Sequence, residues 1–208
     1  MQCKKTGVTP EIGSIYPFGG FDWRVLDVEN NKALLITEKI IEQRAYNVDW
    51  TDITWENCTL REYLNGEFLN KLGVAKSAIA DTDNLNSDNP WYGTVGGRAT
   101  TDKVFLLSLD EVCRYFGDSG NLRNKKRYEC NENGKFVPSS DGYYIHDQYN
   151  EARKACNAAG EAFWWWLRSS GGASNNAASV LGDGIVRVYG LLVNCGEGGV
   201  RPALWLNL

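Results

Sequence analysis

The sequence predicts one α+β domain with mixed or antiparallel sheets, two main helices and long loops. Three observations carry that prediction: strand-like hydrophobic patterns towards both ends, two capped helical stripes between them, and abundant glycine and aromatic residues. The 208 residues include 22 Gly, eight Trp and a single His, and 43% of them are hydrophobic. That content supports a core burying roughly 70% of the surface the unfolded chain exposes. It excludes intrinsic disorder as the main state.

Strands dominate residues 12–45. Residues 21–28 and 33–37 are apolar-rich and flank Glu29-Asn30-Asn31, which predicts a hairpin with a three-residue turn; Gly19-Gly20 forms a bend ahead of it. A helix follows. Thr59 and Glu62 have capping-box spacing, and Leu60, Tyr63, Leu64, Phe68 and Leu72 form an apolar stripe. The same device recurs at Ser108 and Glu111, ahead of Val112, Cys113 and Phe116. Between the helices, residues 81–102 are rich in Asp, Asn, Gly and Thr around Trp91-Tyr92, a surface excursion anchored by aromatics. A second polar loop, 117–142, carries the basic run Arg123-Asn124-Lys125-Lys126-Arg127, read as a solvated loop. Residues 163–168 are an apolar strand with three consecutive Trp. A Gly-, Ala- and Asn-rich stretch follows, and residues 199–206 return to the sheet as a terminal strand. No linker or repeat divides the chain.

The net charge of -4 leaves no excess of Lys and Arg to displace counterions, so no nucleic-acid partner is expected. No run approaches the ~18–20 apolar residues of a spanning helix, and no apolar stretch follows Met1. The expectation is a soluble chain with neither membrane insertion nor a signal peptide. Cys3, Cys58, Cys113, Cys130, Cys156 and Cys195 form no CxxC pattern and are expected to be reduced, mostly small buried hydrophobes. The lone His146 is expected in a surface loop with no partner for general-base work. Neither a metal site nor a cofactor is expected.

Several stretches, in order and over nearly the whole chain, carry a resemblance. They are Phe18-Gly19-Gly20-Phe21-Asp22-Trp23-Arg24-Val25-Leu26-Asp27-Val28, Thr54-Trp55-Glu56-Asn57-Cys58-Thr59-Leu60-Arg61-Glu62-Tyr63-Leu64-Asn65 and Thr101-Asp102-Lys103-Val104-Phe105-Leu106-Leu107-Ser108. Trp165-Trp166-Leu167-Arg168-Ser169 and Gly199-Val200-Arg201-Pro202-Ala203-Leu204 complete the set. Together they resemble a family of uncharacterised bacterial and phage domains with C-type-lectin-type folds, related in architecture to the formylglycine-generating enzymes. That family includes variable proteins of diversity-generating retroelements, in which a reverse transcriptase misreads template adenines and the mutated copy overwrites the end of the target gene. The resemblance implies a single C-type-lectin-like domain over 1–208, with a randomised ligand-binding region at about 173–198. It also implies no catalysis, and an unidentified protein or surface ligand. Display would be on a phage particle or bacterial surface through another component. The family usually has Pro where this chain has Ser170, a difference expected to alter a turn and not the fold.

Misreading of adenines in AAC-type Asn codons cannot yield Lys, Glu, Gln, Met or Trp while the third base stays C. Those five types make up 36 of the 208 residues but occur once between Ala173 and Gly198, as Glu197. The candidate ligand-binding residues are Ser174, Asn175, Asn176, Ser179, Leu181, Ile185, Arg187, Tyr189, Leu191, Leu192, Asn194 and Glu197. Strand alternation would put Ile185, Arg187 and Tyr189 on one face and Val186 and Val188 on the other. Tyr and Arg are favoured contact residues because each combines area with hydrogen bonding. Leu191-Leu192 would form an exposed apolar tip. The Trp23 hairpin, the Trp164-Trp165-Trp166 strand and the Trp205 strand would supply a core independent of that face. Arg168 and Arg201, beside aromatic strands, are read as structural ion-pair or stacking residues.

Three alternatives stay open. One is an enzyme of the formylglycine-generating type, which needs a close pair of cysteines near the C-terminal part; only Cys195 is suitably placed. Another is a calcium-dependent lectin, to which Asp88-Asn89-Pro90 bears a superficial likeness, though such a triplet is also ordinary turn chemistry. The third is an undiversified adhesive or carbohydrate-binding module of the same fold.

Overall fold

The computed structural model describes residues 10–124, 128–130, 136–138 and 143–208. In chain order the strands are β1 (Ile15–Phe18), β2 (Phe21–Glu29), β3 (Lys32–Thr37), β4 (Glu42–Gln43), β5 (Thr82–Asn84), β6 (Thr100–Asp102) and β7 (Tyr128–Cys130). There follow β8 (Phe136–Pro138), β9 (Tyr144–Ile145), β10 (Trp165–Ser170), β11 (Asn176–Val180), β12 (Val186–Leu192), β13 (Gly199–Val200) and β14 (Ala203–Asn207). A four-stranded antiparallel sheet has the order β1-β2-β3-β14, and a six-stranded sheet has the order β4-β13-β10-β11-β12-β9. Among the described residues, only the β10–β13 pairing is parallel. With β5–β6 and β7–β8 as separate two-stranded sheets, and two main helical regions beside short helical turns, the fold is α+β and mostly antiparallel. No helix among the described residues is long and apolar enough to cross a membrane.

The first hairpin forms where its pattern predicts it, but its turn is shorter. Glu29 pairs with Lys32, so the turn is Asn30-Asn31 alone, both at positive φ (49° and 60°). A two-residue turn of this type matches strand twist, and Asn tolerates the left-handed region better than most residues.

The first helix also departs from expectation. Its N-cap is Cys58, whose Sγ accepts from the Arg61 N–H at 3.4 Å, while the Thr59 hydroxyl accepts from the Val48 N–H. The helix runs as an α turn (Thr59–Tyr63), a π-type segment (Leu64–Phe68) and a last α turn (Leu69–Lys71). Leu60, Leu64, Phe68 and Leu72 are all buried. A spacing of four would drift about 40° per step around an α-helix, and a wider turn takes up that drift. At the second helix, Leu109–Phe116, the box is complete: Ser108 Oγ accepts from Glu111 N–H, and the Glu111 carboxylate accepts from Ser108 N–H.

The terminal strand is two strands. β13 lies in the six-stranded sheet and β14 in the four-stranded one, so Arg201-Pro202 carries the chain between sheets. One apolar core joins both, with Trp23, Trp55, Trp165 and Trp166 fully buried and Trp205 partly so.

Candidate ligand-binding face

β12 alternates as its sequence predicts. Val186 and Val188 are buried, while Arg187 and Tyr189, with Ile185 just before the strand, are half-exposed on the other side. Between Ala177 and Ser179 the β11–β12 register shifts, leaving Val188, Tyr189 and Gly190 opposite the single residue Ala178. Gly190 makes this bulge possible. Its φ is +75°, and a Cβ there would lie 2.0 Å from the Ala177 carbonyl oxygen. Bulges re-aim side chains, and this one sets the direction of Tyr189.

The remaining candidates fall into two groups. Ser174, Leu192, Asn194 and Glu197 are exposed, while Asn175, Leu181 and Leu191 are half-buried. Asn176 and Ser179, by contrast, are buried and cannot present side chains to a ligand. The reason is their place in β11, an interior strand between β10 and β12; Ser179 pairs with Trp166 on one side and Arg187 on the other. The Leu191-Leu192 tip is half a tip: Leu192 is 47% exposed, but Leu191 packs against the core.

Three other segments converge on this end of the sheet. Asn47 N–H donates to Val193 O and Ile53 N–H to Ser174 O, which seats the 47–53 loop against the β11–β12 hairpin. That loop holds Val48 and Trp50 in solvent, 69% and 68% exposed. The buried Asn89 side chain donates to Ser170 O (2.9 Å) and Val188 O (3.1 Å), and its Oδ1 accepts from Trp91 N–H. It thereby clamps the 81–102 excursion to β10 and β12, and Trp91, donating to Leu122 O, is the buried anchor. Tyr92 then stands edge-on to Tyr189 (centroids 5.5 Å), and Tyr143 does so from the opposite segment (5.2 Å, 90°). In the sequence Asn89 stands in a triplet with ordinary turn chemistry and a superficial likeness to a calcium-lectin element. No local pattern marks its role, because its partners lie 81 and 99 residues away.

Several buried charged groups tie the elements together. Arg168 makes a two-armed ion pair with Glu111 and donates to Leu106 O, tying β10 to the capped helix. Arg201 donates to Thr37 O and stacks on Trp165 and Phe116, 5.0 and 5.5 Å from the ring centroids. Burial lowers its pKa to about 10. Asp102 is a buried hub, accepting from Trp55 Nε1, Arg61 Nε, Asn84 Nδ2 and Thr100 Oγ1. Two of the matched sequence stretches thus meet through Trp55, Arg61 and Asp102. Burial raises the Cys58 and Cys113 thiols to about 12, and Cys156 and Cys195 are free and half-buried.

His146 is exposed. Its neighbour Asp147 is committed to Arg153, Ser119 and the Tyr149 N–H; burial raises its pKa, but these bonds outweigh burial and leave it lowered. Asp88 Oδ1 accepts from Gly96 N–H, so Asp88-Asn89-Pro90 does loop-shaping work. No group of three or more metal-ligating side chains converges among the described residues. Lys125, Lys126 and Arg127 lie outside the described residues; Arg123 is solvent-exposed, 3.7 Å from Asp110. Two clefts are lined elsewhere, one of about 380 Å³ by residues 17–22 and one of about 470 Å³ by the second helix with Asp118, Leu122 and Arg123.

A family model described as a domain of unknown function (DUF6273) matches residues 30–208. The chain belongs to this family. The matched span takes in both sheets from β3 onward and every residue of the converging face. Neither a curated protein nor a solved structure matches the chain.

Proposed function

We propose that this chain is a non-catalytic, C-type-lectin-like binding protein of the variable type found in diversity-generating retroelements. Its ligand is a protein or another macromolecular surface. The observation that carries the reading is the division of labour along β12, where buried valines alternate with the outward Arg187 and Tyr189. The depletion of Lys, Glu, Gln, Met and Trp between Ala173 and Gly198 agrees with adenine-directed variation. Of the original candidates, the working set is Ser174, Asn175, Leu181, Ile185, Arg187, Tyr189, Leu191, Leu192, Asn194 and Glu197, without the buried Asn176 and Ser179.

The test is to sequence several kilobases on both sides of the gene. A reverse-transcriptase gene, with a near-copy of the segment encoding 173–201 that differs mainly at adenines, is the expected result. Finding neither would remove the diversification and leave an undiversified adhesive module as the better account.

A further inference from the structure

We infer that the ligand face extends beyond the C-terminal stretch: Tyr92 and Tyr143 are contact residues that flank position 189. The partner they fit is an acidic protein surface offering an apolar side chain to the tyrosines and a carboxylate to Arg187. The inference rests on the binding reading above.

Tyr92, Tyr143 and Tyr189 come from three separate segments, yet their rings meet edge-to-face at 5.5 and 5.2 Å. A cluster serving only to staple loops would bury its rings, as Tyr46 does at 1% exposure; here Tyr143 is 40% exposed and the other two are partly open. The backbone behind them is held firmly. Asn89 grips Val188 O, and both Val188 N–H and Tyr189 N–H donate to Tyr143 O. Rigid, half-open phenol rings give large contact area with little ordering cost on binding. Arg187 sits two residues along the same strand, about 7 Å away by strand rise, and makes no ion pair with a described residue. A cation so placed, at the rim of an aromatic patch, favours a partner carboxylate.

The test uses the full chain displayed with Ser174, Asn175, Leu181, Ile185, Leu191, Leu192 and Asn194 randomised, and Arg187 and Tyr189 kept. Binders are selected on bovine α-lactalbumin, a folded acidic protein. In the selected clones, Tyr143→Ala and Arg187→Gln are expected to weaken the Kd at least tenfold, and Tyr143→Phe less than threefold. Tyr92→Ala should behave as Tyr143→Ala does. If it unfolds, as judged by its melting curve, the more exposed Tyr143 decides. Binders whose Kd stays within twofold after the Tyr143→Ala change would overturn the inference while leaving the binding reading intact. A library yielding no binders from well-folded clones would sink both.

Discussion

Arg201 and Arg187 are the same residue type in or beside strands of the same sheet, and they do opposite things. Arg201 is 2% exposed, stacked on Trp165 and Phe116, with its Nε on the Thr37 carbonyl. Arg187 is half-exposed on the outer side of β12, beside an open tyrosine cluster. What separates them is the layer in which each ends up. The crossing between β13 and β14 drives Arg201 inward between sheets, whereas β12 lies next to the outermost strand, where a two-residue β9 covers only Val186 and Arg187. The stability of this protein is therefore concentrated away from the face proposed to bind.

Substitutions graded by layer test that contrast. The largest effect is expected for Trp165→Ala, which removes a fully buried ring and the stacking surface of Arg201; a loss of roughly 3–5 kcal/mol should show as a lower urea midpoint. Next is Arg153→Gln, which leaves the Asp147 carboxylate unpaired behind Gly117, at about 3 kcal/mol. The same pair has a pH signature. Because the folded pKa of Asp147 is lowered, its stabilisation is complete above the unfolded carboxylate value of about 4 and vanishes as pH falls through the folded one. Arg153→Gln should therefore cost more at pH 7 than at pH 2, and equal losses at both would show that the pair is not the cause.

Gly190→Ala comes third, at about 1–3 kcal/mol, since a Cβ there meets Ala177 O in a left-handed backbone. It should also disturb Tyr189. The smallest effect belongs to Arg187→Ala and Tyr189→Ala together, below about 1–2 kcal/mol for the pair. Unfolding of that double variant would mean the two residues serve the core.

The legible parts of this fold are those in which a residue's neighbours in sequence are also its partners in space. The Ser108–Glu111 box, the 21–37 hairpin and the alternation of β12 are all local, and each forms where its pattern predicts. Illegible features depend on distant partners. Cys58 displaces Thr59 as cap because Thr59 is turned to Val48. Residues 199–206 split because each half finds a different sheet. Asn176 and Ser179 look like polar loop residues, but β10 and β12 enclose them. Tyr92 and Tyr143 belong to separate segments, and nothing in the sequence shows that both meet Tyr189.

Both bonds of the Asn89 clamp go to carbonyls, those of Ser170 and Val188, groups that every amino acid carries. Its grip is thus blind to which residues follow one another along that strand. Substitutions at positions 187 and 189 therefore leave both bonds in place, which suits the binding role proposed for that strand.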